Sequence, residues 1–182
     1  MITSRTTEPP AALTARTAGF AEKYSQYFPR VFAYIYARVG NPHITEDLVA
    51  DVFERAYTKA ESLRNDGAFS TWLFTIARNA IISHGRKHSR ETIVDPDVMK
   101  EIAPSSASVE NEILQQEELK NLAAMVRTFP QREQDIISLK FDAELSNTQI
   151  AEIMDLSEPN VRVIIFRTLR KLRELMVAER NR

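Results

Sequence analysis

No set of side chains in this sequence is arranged to make or break a covalent bond. What its residue types and spacing offer is hydrogen bonding, ion pairing and apolar packing. The absence of cysteine excludes thiol catalysis, a disulfide framework and cysteine-ligated zinc. His84 and His88 have the spacing of two metal ligands on one helical face. They lack a nearby acid or third ligand, so no metal or other cofactor is expected, and no catalysis. The chemically informative stretch is instead 146–171. Ser146 suits a helix cap with Gln149 at the capping-box position, and Ser157, eleven residues on, suits a second cap. Ile150, Met154 and Leu156 form an apolar face on the first element; Val161, Ile164 and Leu169 form one on the second. Small Ala151 permits a close crossing, and Asp155 stands where the turn needs a left-handed residue, a conformation Asp tolerates. This is a helix-turn-helix pattern, whose second helix enters the DNA major groove. An ordinary helical hairpin with the same apolar spacing competes with it but does not account for the paired caps.

The charge distribution points the same way. Net charge is −1, yet positions 69–90 hold no acid while Arg78, Arg86, Lys87 and Arg90 are basic. From Arg162 onward seven basic residues face only Glu174 and Glu179. The acids gather at 46–61 and 91–118. Two basic patches separated by acidic segments suit a chain that touches nucleic acid twice.

These patches need elements to hold them. The 182 residues, 43% apolar with four glycines, favour an all-α chain of two small helical domains. Residues 1–18, rich in Thr, Ala and Pro, are expected to be a disordered tail with no signal peptide. No run of eighteen apolar residues exists, so no membrane span is expected, and the cytoplasm is the expected compartment. The first domain spans 19–90. Phe20, Tyr24, Tyr27 and Phe28 begin its helical pattern, Pro29 suits a first helical turn, and Gly40 closes that stretch. Asn41-Pro42 opens a second helix with Ile44, Leu48, Val52 or Val49, Phe53 and Ala56 inward. Ser70 is positioned to cap a third, with Leu73, Ile76, Ala77, Ala80 and Ile81 inward and Arg78, Asn79, Ser83, Arg86 and Lys87 outward. Residues 91–112, with six acids, one lysine, Pro96 and Pro104, read as an acidic linker. The second domain, 113–182, follows, with one helix expected over about 109–127 and a second opening at Pro130 ahead of the helix-turn-helix.

Four segments taken in order resemble the extracytoplasmic-function (ECF) sigma factors of bacterial RNA polymerase, within the sigma-70 family. Thr45-Glu46-Asp47-Leu48-Val49-Ala50-Asp51-Val52-Phe53 resembles the segment that docks on the polymerase clamp helices. Phe69-Ser70-Thr71-Trp72-Leu73-Phe74-Thr75-Ile76-Ala77-Arg78-Asn79 resembles the promoter-melting segment that recognises the −10 element. Phe129-Pro130-Gln131-Arg132-Glu133 resembles the opening of the second domain, and the helix-turn-helix matches the −35 reader. Ser83 stands where the family often has an acid, and Val163 and Ile164 stand where a small polar and a basic residue are common.

The resemblance implies core RNA polymerase and promoter DNA as partners, with an anti-sigma factor that holds the protein inactive. It implies polymerase binding through Asp47, Leu48, Asp51, Val52 and Glu54. Binding and melting of −10 DNA would fall to Asn65, Asp66, Phe69, Trp72, Arg78, Asn79, Ser83, Arg86 and Lys87. Reading of −35 DNA would fall to Ser157, Pro159, Asn160, Arg162, Val163, Phe166, Arg167, Arg170 and Lys171. Arg162 is the best candidate for reading guanine, with Arg167, Arg170 and Lys171 on phosphates. By periodicity Trp72 fits a core anchor and a base-stacking residue equally well. Two rival readings leave polymerase out: an ordinary helix-turn-helix regulator that binds duplex DNA, and an adaptor whose first domain is a protein-interaction bundle.

Overall fold

A computed structural model describes residues 10–59, 66–88 and 109–181, with side chains over 18–59, 67–87 and 118–181. Among these residues there are seven helices and no strand: α1 (Pro10–Val39), α2 (Pro42–Lys59), α3 (Phe69–His88), α4 (Val109–Arg127), α5 (Gln131–Phe141), α6 (Asn147–Met154) and α7 (Glu158–Arg180). A 3-10 turn, Asp66–Ala68, leads into α3.

The first half is a bundle of α1, α2 and α3. Val31, Tyr34 and Ile35 of α1 meet Val49, Val52, Phe53 and Ala56 of α2 and Leu73, Phe74, Ala77 and Ala80 of α3 in a buried core. Aromatic rings fasten α1 to α2, with Tyr24 and Phe53 centroids 4.6 Å apart and Phe20 and Tyr57 5.0 Å apart. The α1–α2 corner forms as its residues dictate. Gly40 takes φ +72°, a region open to glycine at little steric cost. The Asn41 side chain then accepts from the Ile44 N–H at 3.1 Å, capping α2.

Several elements differ from the sequence reading. The first helix begins at Pro10, so residues 10–18 of the expected tail are helical; residues 1–9 lie outside the described residues. Pro29 sits inside α1 and starts nothing. Its ring frees the carbonyl of Ser25, and because Ser25, Gln26 and Pro29 are all exposed, water can satisfy that group and the helix continues. Most of the expected linker lies outside the described residues; the helix expected over about 109–127 is α4, which takes the linker's last four residues.

Ser70 does not cap α3. The 3-10 turn carries the chain straight into Phe69, leaving Ser70 buried within the helix. In α2, Thr45 and Val49 are buried and Ile44 and Leu48 only half-buried, a small rotation of the expected face. The Thr45 hydroxyl is satisfied by donating to the Asn41 carbonyl at 2.8 Å.

The second half packs α5, α6 and α7 around Ile136, Leu139, Ala143, Leu145, Ile150, Ile153 and Val161, with α4 against α5 and α7. Its core is continuous with that of the first half, because α5 rests on α1 and α6 on α3.

Candidate nucleic-acid interface

The helix-turn-helix is built by local rules. Ser146 Oγ accepts from the Gln149 N–H at 3.2 Å while Gln149 Oε1 accepts from the Ser146 N–H at 2.9 Å, a reciprocal capping box. Asp155 ends α6 in the left-handed region, φ 53° and ψ 54°. Ser157 then takes the extended cap conformation of α7, although its hydroxyl makes no capping bond.

Val161, Thr168 and Leu172 are the buried residues of α7. Leu169, expected inward, is 38% exposed. An α-helix advances about 100° per residue, so the face that starts at Val161 returns at Thr168 and Leu172. Turned outward are Ser157, Pro159, Asn160, Arg162, Val163, Phe166, Arg167, Arg170 and Lys171, every expected −35 position. Three of the cations have acidic neighbours: Arg162 with Glu158 at 2.8 Å, Lys171 with Glu133 at 3.5 Å, and Arg170 with Glu174 at 3.7 Å. Exposed pairs of this kind contribute on the order of 0–1 kcal/mol and exchange readily for a phosphate.

The α3 positions divide. Asn79, Ser83, Arg86 and Lys87 are exposed. Trp72 is half-buried, its ring tilted against Phe69 at 5.9 Å, so one part anchors the helix and another reaches solvent. Phe69 is 2% exposed and packs beneath Tyr27, which makes it core and removes it as a DNA contact. Asn65 and the side chains of Asp66 and His88 lie outside the described residues.

Arg78, expected to face outward, is tied instead to the second half. Its Nε lies 3.4 Å from Oδ2 of Asp135, a buried acid of α5. The other Asp135 oxygen accepts from Arg38 Nε at 2.9 Å, and Arg38 also bonds the Gln134 side chain. Arg38 and Asp135 are both 6% exposed at the side chain. Beside them the Tyr34 hydroxyl is buried and finds no hydrogen-bond partner among the described residues. Burial first, and then the Asp135 charge, hold its pKa well above the ordinary tyrosine value.

Further bonds join the halves. Gln149 Nε2 donates to Ser70 Oγ at 3.1 Å, and Arg30 Nε donates to the Ala143 carbonyl at 2.8 Å. A cleft of about 660 Å³ remains between α3 and α5, lined by Arg78, Arg86, Arg132 and Met154 among others. The sequence reading missed Arg30, Arg38 and Asp135. A faint signal existed for Asp135, an acid one turn before Leu139 on the same helical face.

On α2, Asp47 and Glu54 are exposed, Leu48 is half-buried, and Asp51 pairs with Arg55 at 2.6 Å. Val52 is fully buried in the core, so it cannot offer a contact to a partner. No helix of the described residues is long and apolar enough to cross a membrane.

Comparison with known proteins places these two halves in register. Residues 24–91 match Sigma-70 region 2 and residues 126–174 match Sigma-70 region 4. The ECF RNA polymerase sigma factor SigM of Bacillus subtilis is 28% identical over 154 residues, covering 85% of this chain and 93% of that protein. The ECF RNA polymerase sigma-E factor of Haemophilus influenzae is 33% identical over 129 residues, 66% of this chain and 68% of that protein. In fold, the chain superposes on the sigma factor RpoE from Bartonella quintana, solved in complex with the anti-sigma factor NepR. The TM-score is 0.69 at 20% identity, covering 87% of this chain and 96% of that one.

Proposed function

The chain belongs to the ECF sigma factors, the promoter-recognising subunits of bacterial RNA polymerase, and on that premise we propose how its surfaces divide the work. The observation that carries the division is the face of α7. It turns Pro159, Asn160, Arg162, Val163, Phe166, Arg167 and Arg170 away from a core fixed by Val161, Thr168 and Leu172. That face reads the −35 element, with Arg162 on a base edge and Arg167, Arg170 and Lys171 on phosphates.

The −10 strand is taken by the exposed part of α3. Arg86 and Lys87 hold backbone, Asn79 meets a base edge, and the exposed part of Trp72 stacks on an unpaired base. These contacts offset the few kcal/mol that unstacking costs. The α2 face of Asp47, Leu48, Asp51 and Glu54 docks on a basic surface of core polymerase. Polymerase supplies the catalysis, and the work takes place in the cytoplasm. An anti-sigma factor is a further partner, since the solved relative is a complex with one.

Docking is tested by mixing the chain with bacterial core polymerase and measuring co-elution on gel filtration. The intact chain co-elutes. Asp47→Lys with Glu54→Lys abolishes co-elution while leaving the helical circular-dichroism signal unchanged. Co-elution of the charge-reversed chain at full yield would place the docking surface elsewhere.

A further inference from the structure

The cleft between α3 and α5 takes one wall from each half of the molecule, and its volume of about 660 Å³ falls in the range of small-molecule sites. Arg78 and Arg86 line it from α3 and Arg132 from α5, with Asp135 the one acid among the described residues of its lining. Asp135 does not neutralise these cations, because its two oxygens already face Arg38 and Arg78. Arg78 Nε is buried and, although within ion-pair range of Asp135, makes no hydrogen bond among the described residues. A buried N–H without an acceptor carries a desolvation cost, which an oxyanion in the cleft offsets.

The start of α5 adds to this preference. Pro130 at its N-cap supplies no side-chain acceptor, and Gln131 and Arg132, the first two residues of the helix, line the cleft. The amides of an uncapped first turn favour a negative group, and arginine is well shaped for phosphate. The rest of the lining differs in kind. Ile81, Ile82 and Met154 are apolar, and a Cβ added at Gly85 would meet nothing within 4 Å, so there is open space beside them. Branched aliphatic groups and a polarisable thioether suit a flat aromatic ring. A ring joined to several phosphates is a nucleotide.

We propose that this cleft binds a nucleoside carrying two or more phosphates, with the phosphates among Arg78, Arg86 and Arg132 and the base against Ile81, Ile82 and Met154. A ligand whose contacts come from both halves binds only the arrangement in which they are packed. By mass action it stabilises that arrangement. The cleft thus gives the molecule a small-molecule input acting on the contact between its halves.

The test is isothermal titration calorimetry on the full chain, with ATP and with GTP as probes. It needs neither polymerase nor promoter, so its failure is distinct from failure of the promoter assignments. At least one of the two should bind saturably, at one site per chain. Inorganic tripolyphosphate should bind about tenfold more weakly, having no base to bury. Arg132→Ala, at an exposed position, should weaken nucleotide binding about tenfold by removing a charge-assisted contact. Gly85→Leu should abolish binding by filling the cleft. The same change should raise the melting temperature of the free chain, since leucine is the better helix former. Arg173→Ala, an exposed cation of α7 outside the cleft, should leave binding unchanged. Bound nucleotide should slow amide hydrogen exchange in both α3 and α5. Absence of saturable binding overturns the site, and so does binding undiminished in both Arg132→Ala and Gly85→Leu. Equal weakening in Arg173→Ala and Arg132→Ala would reduce the effect to a general attraction of anions, against the proposal. Tripolyphosphate as tight as the nucleotides overturns the nucleoside, and protection confined to one helix overturns the bridging role.

Discussion

A carboxylate buried between two guanidinium groups is costly to remove, because its partners stay behind. Asp135→Ala leaves Arg38, 6% exposed at its side chain, without its counter-charge. The expected loss is about 3–5 kcal/mol of unfolding free energy, measured in urea. Removing both charges, as Asp135→Leu with Arg38→Met, should recover most of it, since the desolvation cost goes with the pair. An equal loss in the double variant would mean that the site acts through shape alone. Asp142, at the end of the same helix, behaves in the opposite way. Burial raises its pKa from 3.8 to about 6 against the weaker effect of its Ser138 hydrogen bond. A raised carboxyl pKa means the folded state binds the extra proton. Stability therefore declines as pH rises through the window from about 4 to about 6 and stays lower above it. Asp142→Asn should flatten that decline, giving similar urea midpoints at pH 5 and pH 7.5 where the parent chain differs. At the DNA surface, Arg162→Ala should weaken −35-dependent binding by about 1–3 kcal/mol. Equal weakening on a scrambled −35 sequence would reduce Arg162 to a phosphate contact.

At the level of elements, short α6 depends on its ends. Ser146→Ala should cost about 1 kcal/mol, because one side chain supplies half of a reciprocal box. Asp155→Gly should raise stability by up to about 1 kcal/mol by relieving a left-handed backbone. Thermal melting of the two variants checks both signs. These features were legible in the sequence because caps and corners are set by residues within four positions of one another. The misreadings share a different cause. Ser70 has the right type for a cap, but the preceding 3-10 turn extends the helix past it. Its hydroxyl is instead used by Gln149, 79 residues away. Leu169 looked inward because leucine is apolar, whereas helical phase gave the inward position to Thr168. Val52 was correctly phased as core, and the family resemblance that also made it a docking residue does not distinguish a helix's buried face from its exposed one. The Arg38–Asp135 pair spans 97 residues, and no local rule reaches that far.

The whole molecule holds its two halves closely. The helix α3 packs on α6, which packs on α7, so the two proposed DNA-reading helices are separated by about two interhelical distances, roughly 20 Å. The −10 and −35 elements are about 25 base pairs apart, roughly 85 Å along the duplex. One chain cannot read both in this arrangement. If α3 and α7 read the two elements as proposed, engagement with a promoter releases the Asp135 clamp and the Gln149–Ser70 bond. The absence of cysteine makes this measurable, since Lys87→Cys and Arg173→Cys create a unique labelling pair. Energy transfer between the two dyes should be high in the free chain and fall sharply on assembly with core polymerase and promoter. Transfer that stays high in an open promoter complex would contradict the separation.

The central claim is that this chain gives bacterial core polymerase a promoter specificity that the core lacks. It is tested most directly by run-off transcription with purified core, the chain and a fragmented genomic template, with 5′ ends mapped. The account predicts discrete new start sites, each preceded by shared −10 and −35 elements, and none with core alone. Binding of the chain to duplex DNA with no polymerase-dependent start site would contradict it.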